Sequence, residues 1–281
     1  MSGGAAGDSP TIMVALANPR TESALVTLAS AFAKQQAGTV LAVHIVQVPD
    51  QTALEAAAEN DRVGAESERL LAAARADAES LGVEVETKTI LSHRGIEEIF
   101  DAARRNDASA VLLGYGGAWF AGGRVEGALQ ELAGDLPCDL LVLNDRGFDP
   151  SKVLLSTGGG YYSALSAAVA RALRDVLGAE VTLLHVADGE ADGRAFLESW
   201  ADEHGLGDAD RLVETGDTET AIEQHAADHS LIVVGATGRG LLARVIDGSL
   251  TLSVLEGLET SVLVAERPVD RPMRERLFGR R

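Results

Sequence analysis

Residues Leu231–Ser249 read LIVVGATGRGLLARVIDGS. Four apolar, largely β-branched residues open the stretch, Leu231-Ile232-Val233-Val234. The run is short enough for a buried strand and too short for a helix. Gly235-Ala236-Thr237-Gly238-Arg239-Gly240 then breaks it with three glycines in six residues, a backbone that can turn sharply and come close to a ligand. Beyond Gly248-Ser249, Leu250–Leu255 reads as a helix with apolar residues spaced toward a core. A strand, a glycine loop and a helix start form an anion cradle, because the free N–H groups and the dipole of a helix N-terminus favour negative charge. Ser249 can cap the helix or give its hydroxyl to a phosphate oxygen. Arg239 and Arg244 flank the loop and can add charge-assisted hydrogen bonds. No Gly-Lys-[Ser/Thr] follows the glycines and no G-x-G-x-x-G is present, so neither the P-loop nor the dinucleotide fingerprint applies. The competing interpretation is a glycine-rich turn that binds nothing.

The spacing Gly235-x2-Gly238-x9-Gly248-Ser249 resembles, position for position, the nucleotide-binding signature G-x2-G-x9-G-[S/T] of universal stress proteins.

The length of 281 residues suits two domains of ordinary size, each with its own core. No apolar run approaches the roughly 18 residues of a membrane span. The start, MSGGAAGDSP, lacks a positive n-region and an apolar h-region, so residues 1–10 are expected to be a disordered leader and the chain cytoplasmic. The single cysteine, Cys138, excludes an internal disulfide and a thiolate zinc site; before the apolar run Leu140–Leu143 it reads as a small buried hydrophobe. With 43 acidic against 24 basic residues and a net charge of −19, the chain lacks the basic footprint of a nucleic-acid binder. High acidity with arginine favoured over lysine resembles proteins of salt-loving organisms.

Taken in order, the chain alternates strands and helices. Thr11–Ala17 is a buried strand ending in a turn at Asn18-Pro19-Arg20. Thr21 or Ser23 would cap a helix over Ala24–Gln36. Thr39–Val48 is a strand, Thr52–Leu81 a helical stretch closed by Gly82, and Val83–Ile90 a strand with one exposed face. Gly95–Asn106 is a helix, and Ala110–Leu113 and Leu140–Leu143 are strands. The series then repeats: strand Val153–Thr157, glycines Gly158-Gly159-Gly160, helix Ser163–Leu177, strand Glu180–Val186, helix Arg194–His204, strand Asp210–Glu214, helix Thr218–Asp228, the opening stretch, and Ser261–Ala265. Alternation of this kind specifies α/β architecture with parallel, doubly wound sheets, whose ligands sit beyond the carboxyl ends of the strands.

The repeat holds in register. Ala17 to Gly158 and His44 to His185 are both 141 residues apart. Past the second helical segment the offset is 121, and Gly114, Gly117 and Gly127 then match Gly235, Gly238 and Gly248. From Thr11 to Glu266 the chain therefore resembles a tandem universal stress protein. This reading places one domain over 11–146, a second over 151–266 and a basic tail over 267–281. Family domains pair through their last strands, which implies an internal pseudo-dimer through Leu140–Leu143 and Val262–Ala265, with a homodimer as a further assembly. Unpaired, such apolar edges would invite aggregation.

The two loops differ in chemistry. Ala118, Gly123 and Ala128 stand where the second half has Arg239, Arg244 and Ser249, and Trp119 and Phe120 are expected to pack against the partner domain. The first half is expected to be a degenerate site and the second the competent one. The resemblance implies that the second half binds ATP or a related nucleotide, with Mg, through Gly235, Gly238, Arg239, Gly248 and Ser249 and through the backbone of Val186. Nucleotide-binding members usually carry an aspartate at the end of the first strand, against the adenosine portion; here Ala17 and Gly158 occupy those places. Gly158-Gly159-Gly160 either leaves room for a ligand or forms a turn needing positive φ.

His44 and His185 at strand ends read as structural, and His225 and His229 lack a third ligand for a metal. Acidic runs such as Asp188–Asp192 read as solvated loops. No nucleophile elbow and no evident general base appear, so a regulatory binding protein is expected, with a weak ATPase or a ligand-free scaffold as alternatives. The tail Arg267–Arg281 holds six arginines against Asp270 and Glu275. It is either a tail neutralising acidic surface or a docking segment for an anionic membrane or a transporter partner; similar domains occur fused to, or alongside, amino-acid transporters.

Overall fold

A computed structural model describes residues 9–58, 61–115, 136–159, 163–235 and 257–268. The strands are β1 (Thr11–Leu16), β2 (Thr39–Gln47), β3 (Val85–Ser92), β4 (Ala110–Gly114), β5 (Asp139–Asn144), β6 (Lys152–Ser156), β7 (Glu180–Val186), β8 (Asp210–Glu214), β9 (Leu231–Gly235) and β10 (Ser261–Glu266). The described helices are α1 (Pro19–Gln35), α2 (Leu54–Ala58), α3 (Asp61–Ser80), α4 (Ile96–Arg105), α5 (Ser163–Leu177), α6 (Glu190–Glu203) and α7 (Thr218–Ala226).

All ten strands form one sheet in the order β3-β2-β1-β4-β5-β10-β9-β6-β7-β8. Each half runs 3-2-1-4-5, and every pair within a half is parallel. The halves meet at β5 and β10, which pair antiparallel from Val262↔Asn144 to Glu266↔Leu140. The expected pairing of the last strands is therefore present within the chain. Along β1, Ile12, Val14 and Leu16 enter the core shared with α1 and α3, while Met13 and Ala15 enter the core shared with α4. That alternation is the period-2 geometry of a strand, and it explains why strands covered on both faces read as unbroken apolar runs.

Several boundaries differ from the sequence reading: β3 runs over Val85–Ser92 rather than Val83–Ile90, and two others differ for local reasons. Asn18-Pro19-Arg20 is the start of α1 rather than a turn before it. Asn18 is the N-cap, its Oδ1 accepts from the Arg20 N–H at 2.9 Å, and Pro19 opens the helix. Proline suits that position because its fixed φ is helical and its missing N–H is one the helix leaves unpaired. Asn18→Ala is expected to cost about 0.5–2 kcal/mol, read as a lower urea midpoint with an unchanged slope. Helix α6 begins at Glu190, four residues early, with Gly189 as an extended N-cap and Glu190 and Asp192 in the first turn. Part of the acidic run taken for a solvated loop is thus helical, stabilised by the dipole at a helix N-terminus. The stretch Thr52–Leu81 resolves into α2 and α3, with residues 59–60 outside the described set, and Gly82 closes α3 at φ +71°.

Cys138 is buried, and burial, reinforced by Asp139, pushes its thiol up to about 12. It is a small core residue, not a nucleophile. Among the described residues no helix is long and apolar enough to cross a membrane.

Candidate functional site

Register brings the second half's expected residues to one level. Ser156 of β6 pairs with Leu184 of β7 and with Val234 of β9. Two residues on, Gly158 therefore stands beside Val186, and Gly235 ends the neighbouring strand. Within this half β6 and β9 flank the reversal of strand order, where open α/β sheets hold ligands. Gly238, Arg239, Arg244, Gly248 and Ser249 lie outside the described residues. Of the expected binding residues, Val186 and Gly235 are placed, and both stand at this edge.

The glycines after β6 have different reasons to be glycine. Gly159 has φ +74°, and a Cβ there would lie 2.8 Å from the Phe196 ring; a side chain is excluded by both strain and contact. A Cβ on Gly158 meets no described atom within 4 Å, and the residue is exposed. Among the described residues a side chain is thus tolerated at Gly158, whereas Gly159 is a turn and packing residue. Gly160 lies outside the described residues.

His185 holds this edge together. Its Nδ1 donates to the Thr157 carbonyl at 2.9 Å, and its ring lies 4.2 Å from that of Phe196. Its first-half counterpart, His44, is buried with Nδ1 2.9 Å from Ser67 Oγ. Burial lowers its pKa against the opposing pull of Glu66. Both histidines are hydrogen-bonded structural groups. His225 Nε2 meets Glu214 Oε1 at 2.9 Å and His229 Nδ1 meets the His225 carbonyl at 2.7 Å. Among the described residues no group of three His, Cys, Asp or Glu is placed to hold a metal ion.

The first half carries two hollows at its own carboxyl edge. One, of about 350 Å³, is bounded by Ala17, His44, Ile45, Gln47, Val63 and Glu66. It occupies the place that Gly158 and Val186 mark in the other half. Ala17 supplies no carboxylate, and the only acidic side chain along this hollow, among the described residues, is Glu66. The other is an open groove of about 1100 Å³ between the start of α1, the end of β4 and the connection from β5 to β6. Arg20, Thr21, Ser23, Tyr115, Arg146 and Phe148 are among its walls. Sequence reasoning missed this groove, because Arg20 and Arg146 are far apart in the chain and belong to no motif. Trp119, Phe120 and the loop from Gly117 to Ala128 lie outside the described residues.

Glu22 is a second residue the sequence reading passed over. It is 6 % exposed in α1, and its Oε1 has no partner among the described residues. Burial first, and the charge of Asp77 second, push its carboxyl up to about 7. Its helical phase with Leu25, Val26 and Ala29 was a usable signal, since residues three and four apart share a face.

Comparison with known proteins points to the same fold. The Universal stress protein family model matches residues 9–147 and 201–266. A universal stress protein from Archaeoglobus fulgidus is 18% identical, with a TM-score of 0.63 over 94% of this chain and 98% of its own. A functionally unknown protein from Pseudomonas aeruginosa is 18% identical, with a TM-score of 0.56 over 92% of each chain. The cytoplasmic domain of a prokaryotic cation chloride cotransporter is 11% identical, with a TM-score of 0.57 over 92% of this chain and 95% of its own. No curated protein matches. The two stretches matched by the family model, together with two copies of the strand order 3-2-1-4-5 joined through their last strands, make this chain a member of the universal stress protein family, with two such domains in tandem.

Proposed function

We propose that the chain is a regulatory nucleotide-binding protein whose second domain, over 151–266, holds ATP or a related nucleotide and passes its occupancy to a partner. The observation that carries this reading is the difference between the two glycine loops: Arg239, Arg244 and Ser249 in one, Ala118, Gly123 and Ala128 in the other. The shared glycines allow close approach of the backbone, and the added hydroxyl and guanidiniums supply the bonds to phosphate. The described end of the site supports it. A Cβ on Gly158, beside the backbone of Val186, meets no described atom within 4 Å, so no described side chain blocks a base or ribose at this strand tip. Mg would enter on the phosphates, keeping several waters, rather than in a protein cage. The chain's own part is to bind and orient; it offers no evident base for water, so a slow ATPase is the lesser reading.

The partner side rests on Arg267–Arg281, net +4 on a chain of −19. An anionic membrane surface or a membrane transporter would attract such a segment, and the chain itself would be cytoplasmic.

Calorimetry with ATP, AMP and a non-adenine nucleotide tests the site. The wild-type chain is expected to bind. Arg239→Ala with Ser249→Ala is expected to weaken binding by tenfold or more, since hydrogen bonds to a charged group contribute about 1.5–3 kcal/mol each. Binding that survives both changes overturns the assignment, and absence of binding by the folded wild-type chain overturns the nucleotide reading. Steady phosphate release above blank would favour the ATPase.

A further inference from the structure

In a chain with 43 acidic residues, arginines are expected to find carboxylates. Arg94, Arg104, Arg105, Arg174 and Arg194 all do. Arg69, Arg75, Arg171 and Arg211 donate instead to backbone carbonyls or a threonine hydroxyl. Arg20 and Arg146 do neither: among the described residues neither guanidinium has an ion pair or a hydrogen bond, and both line the same groove at the carboxyl edge of the first half. They arrive from unrelated places. Arg20 is in the first turn of α1, and Arg146 follows β5 in the connection between the domains.

Other walls of the groove are suited to a polyanion. Thr21 and Ser23 bring hydroxyls from α1. The N-terminus of this 17-residue helix adds its partial positive charge on the same side. One carboxylate, Asp145, also lines the groove, and its Oδ1 accepts from the N–H groups of Gly147 and Phe148 at 2.9 and 2.8 Å. It fixes the turn that carries Arg146, and the lining keeps an excess of positive charge. The volume of about 1100 Å³ is of small-molecule size, since such sites run to roughly 1,000 Å³.

We infer that this groove is a second ligand site, in the first domain and apart from the glycine loop of the second, that takes a small polyanion carrying phosphate or carboxylate groups between Arg20 and Arg146. The placement has a consequence for signalling. The Arg146 N–H donates to Ser261 Oγ at 3.0 Å, and Ser261 opens β10, the last strand of the second domain. An anion drawing in the Arg146 side chain therefore acts on the one covalent connection between the domains, at a point hydrogen-bonded to the second.

The test uses the full chain with Arg239→Ala and Ser249→Ala in place, so that phosphate binding in the second domain does not contribute. Calorimetric titration with inorganic pyrophosphate and, separately, with citrate is expected to show one site for at least one of them, and the stronger of the two identifies the source of the anion. Adding Arg20→Gln and Arg146→Gln is expected to weaken it at least tenfold with an unchanged melting temperature. Should that variant not fold, Thr27→Phe, which fills the groove and leaves both arginines, is expected to weaken binding to a similar degree. Absence of binding by both probes, or equal affinity in the presence and absence of the two arginines, overturns the inference; so does unchanged affinity in Thr27→Phe. ATP binding by the chain carrying only the two glutamines reports on the second domain, so the two sites succeed or fail separately.

Discussion

Replacing Gly158 with aspartate is expected to tighten adenosine-nucleotide binding by about ten- to a hundredfold, the equivalent of one hydrogen bond to a charged group at about 1.5–3 kcal/mol. The backbone accepts the change: Gly158 does not adopt a positive φ, and a Cβ there meets no described atom within 4 Å. The new carboxylate would stand at the end of β6, beside the Val186 backbone, where family members that bind nucleotides place theirs. It would accept from ribose hydroxyls, and AMP and ATP would gain alike because the phosphates lie elsewhere. The same change at Gly159 is expected to disrupt the edge, since its Cβ would enter the Phe196 ring. Equal calorimetric affinity of the wild-type and Gly158→Asp chains would remove ribose recognition from this strand tip.

Glu22→Gln is expected to stabilise the protein in a pH-dependent way, by about 3 kcal/mol at pH 8. Burial raises the folded-state carboxyl to about 7 from 4.5, and each tenfold change in proton affinity between the folded and unfolded chains corresponds to about 1.36 kcal/mol. Below the unfolded value both states hold the proton and Glu22 carries no electrostatic cost. As pH rises from about 4.5 to about 7, the unfolded chain releases its proton first and is favoured. Above that window the cost is constant. Glutamine keeps the shape and removes the ionisation. Urea unfolding at pH 5 and pH 8 should therefore show a larger gap between variant and wild type at the higher pH. A gap of the same size at both would mean that the Glu22 proton does not matter to folding.

The architecture was legible in the sequence because its signals were periodic and duplicated. Ser163–Leu177 and Glu180–Val186 stand at their expected limits, the first set by helical spacing and the second by an apolar run ending at Ala187. That the last strands would meet at the centre followed from the family resemblance, not from any spacing. Boundaries failed where capping chemistry decided them. Asn18-Pro19 looks like a turn by composition and is a helix start by geometry, and Gly189 began a helix inside an acidic run. Of the site, the two placed residues, Val186 and Gly235, come to one edge of the sheet, since strand ends follow from register. The groove of Arg20 and Arg146 was illegible, because no spacing links residues that only the fold brings together. The buried Glu22 was legible in principle, from its phase with Leu25 and Ala29, but a lone acid in a helix suggests solvent first.

The antiparallel join of β5 to β10 carries a consequence beyond packing. Two identical chains pairing this way form a symmetric object in which every substitution appears twice, so a change that suits one copy of a site is imposed on the other. One polypeptide lifts that constraint. Its two strand-tip edges point in opposite directions and descend separately, so one can lose Arg239 and Ser249 equivalents while the other keeps them. A partner gripping one edge leaves the other open, and the molecule has a front and a back.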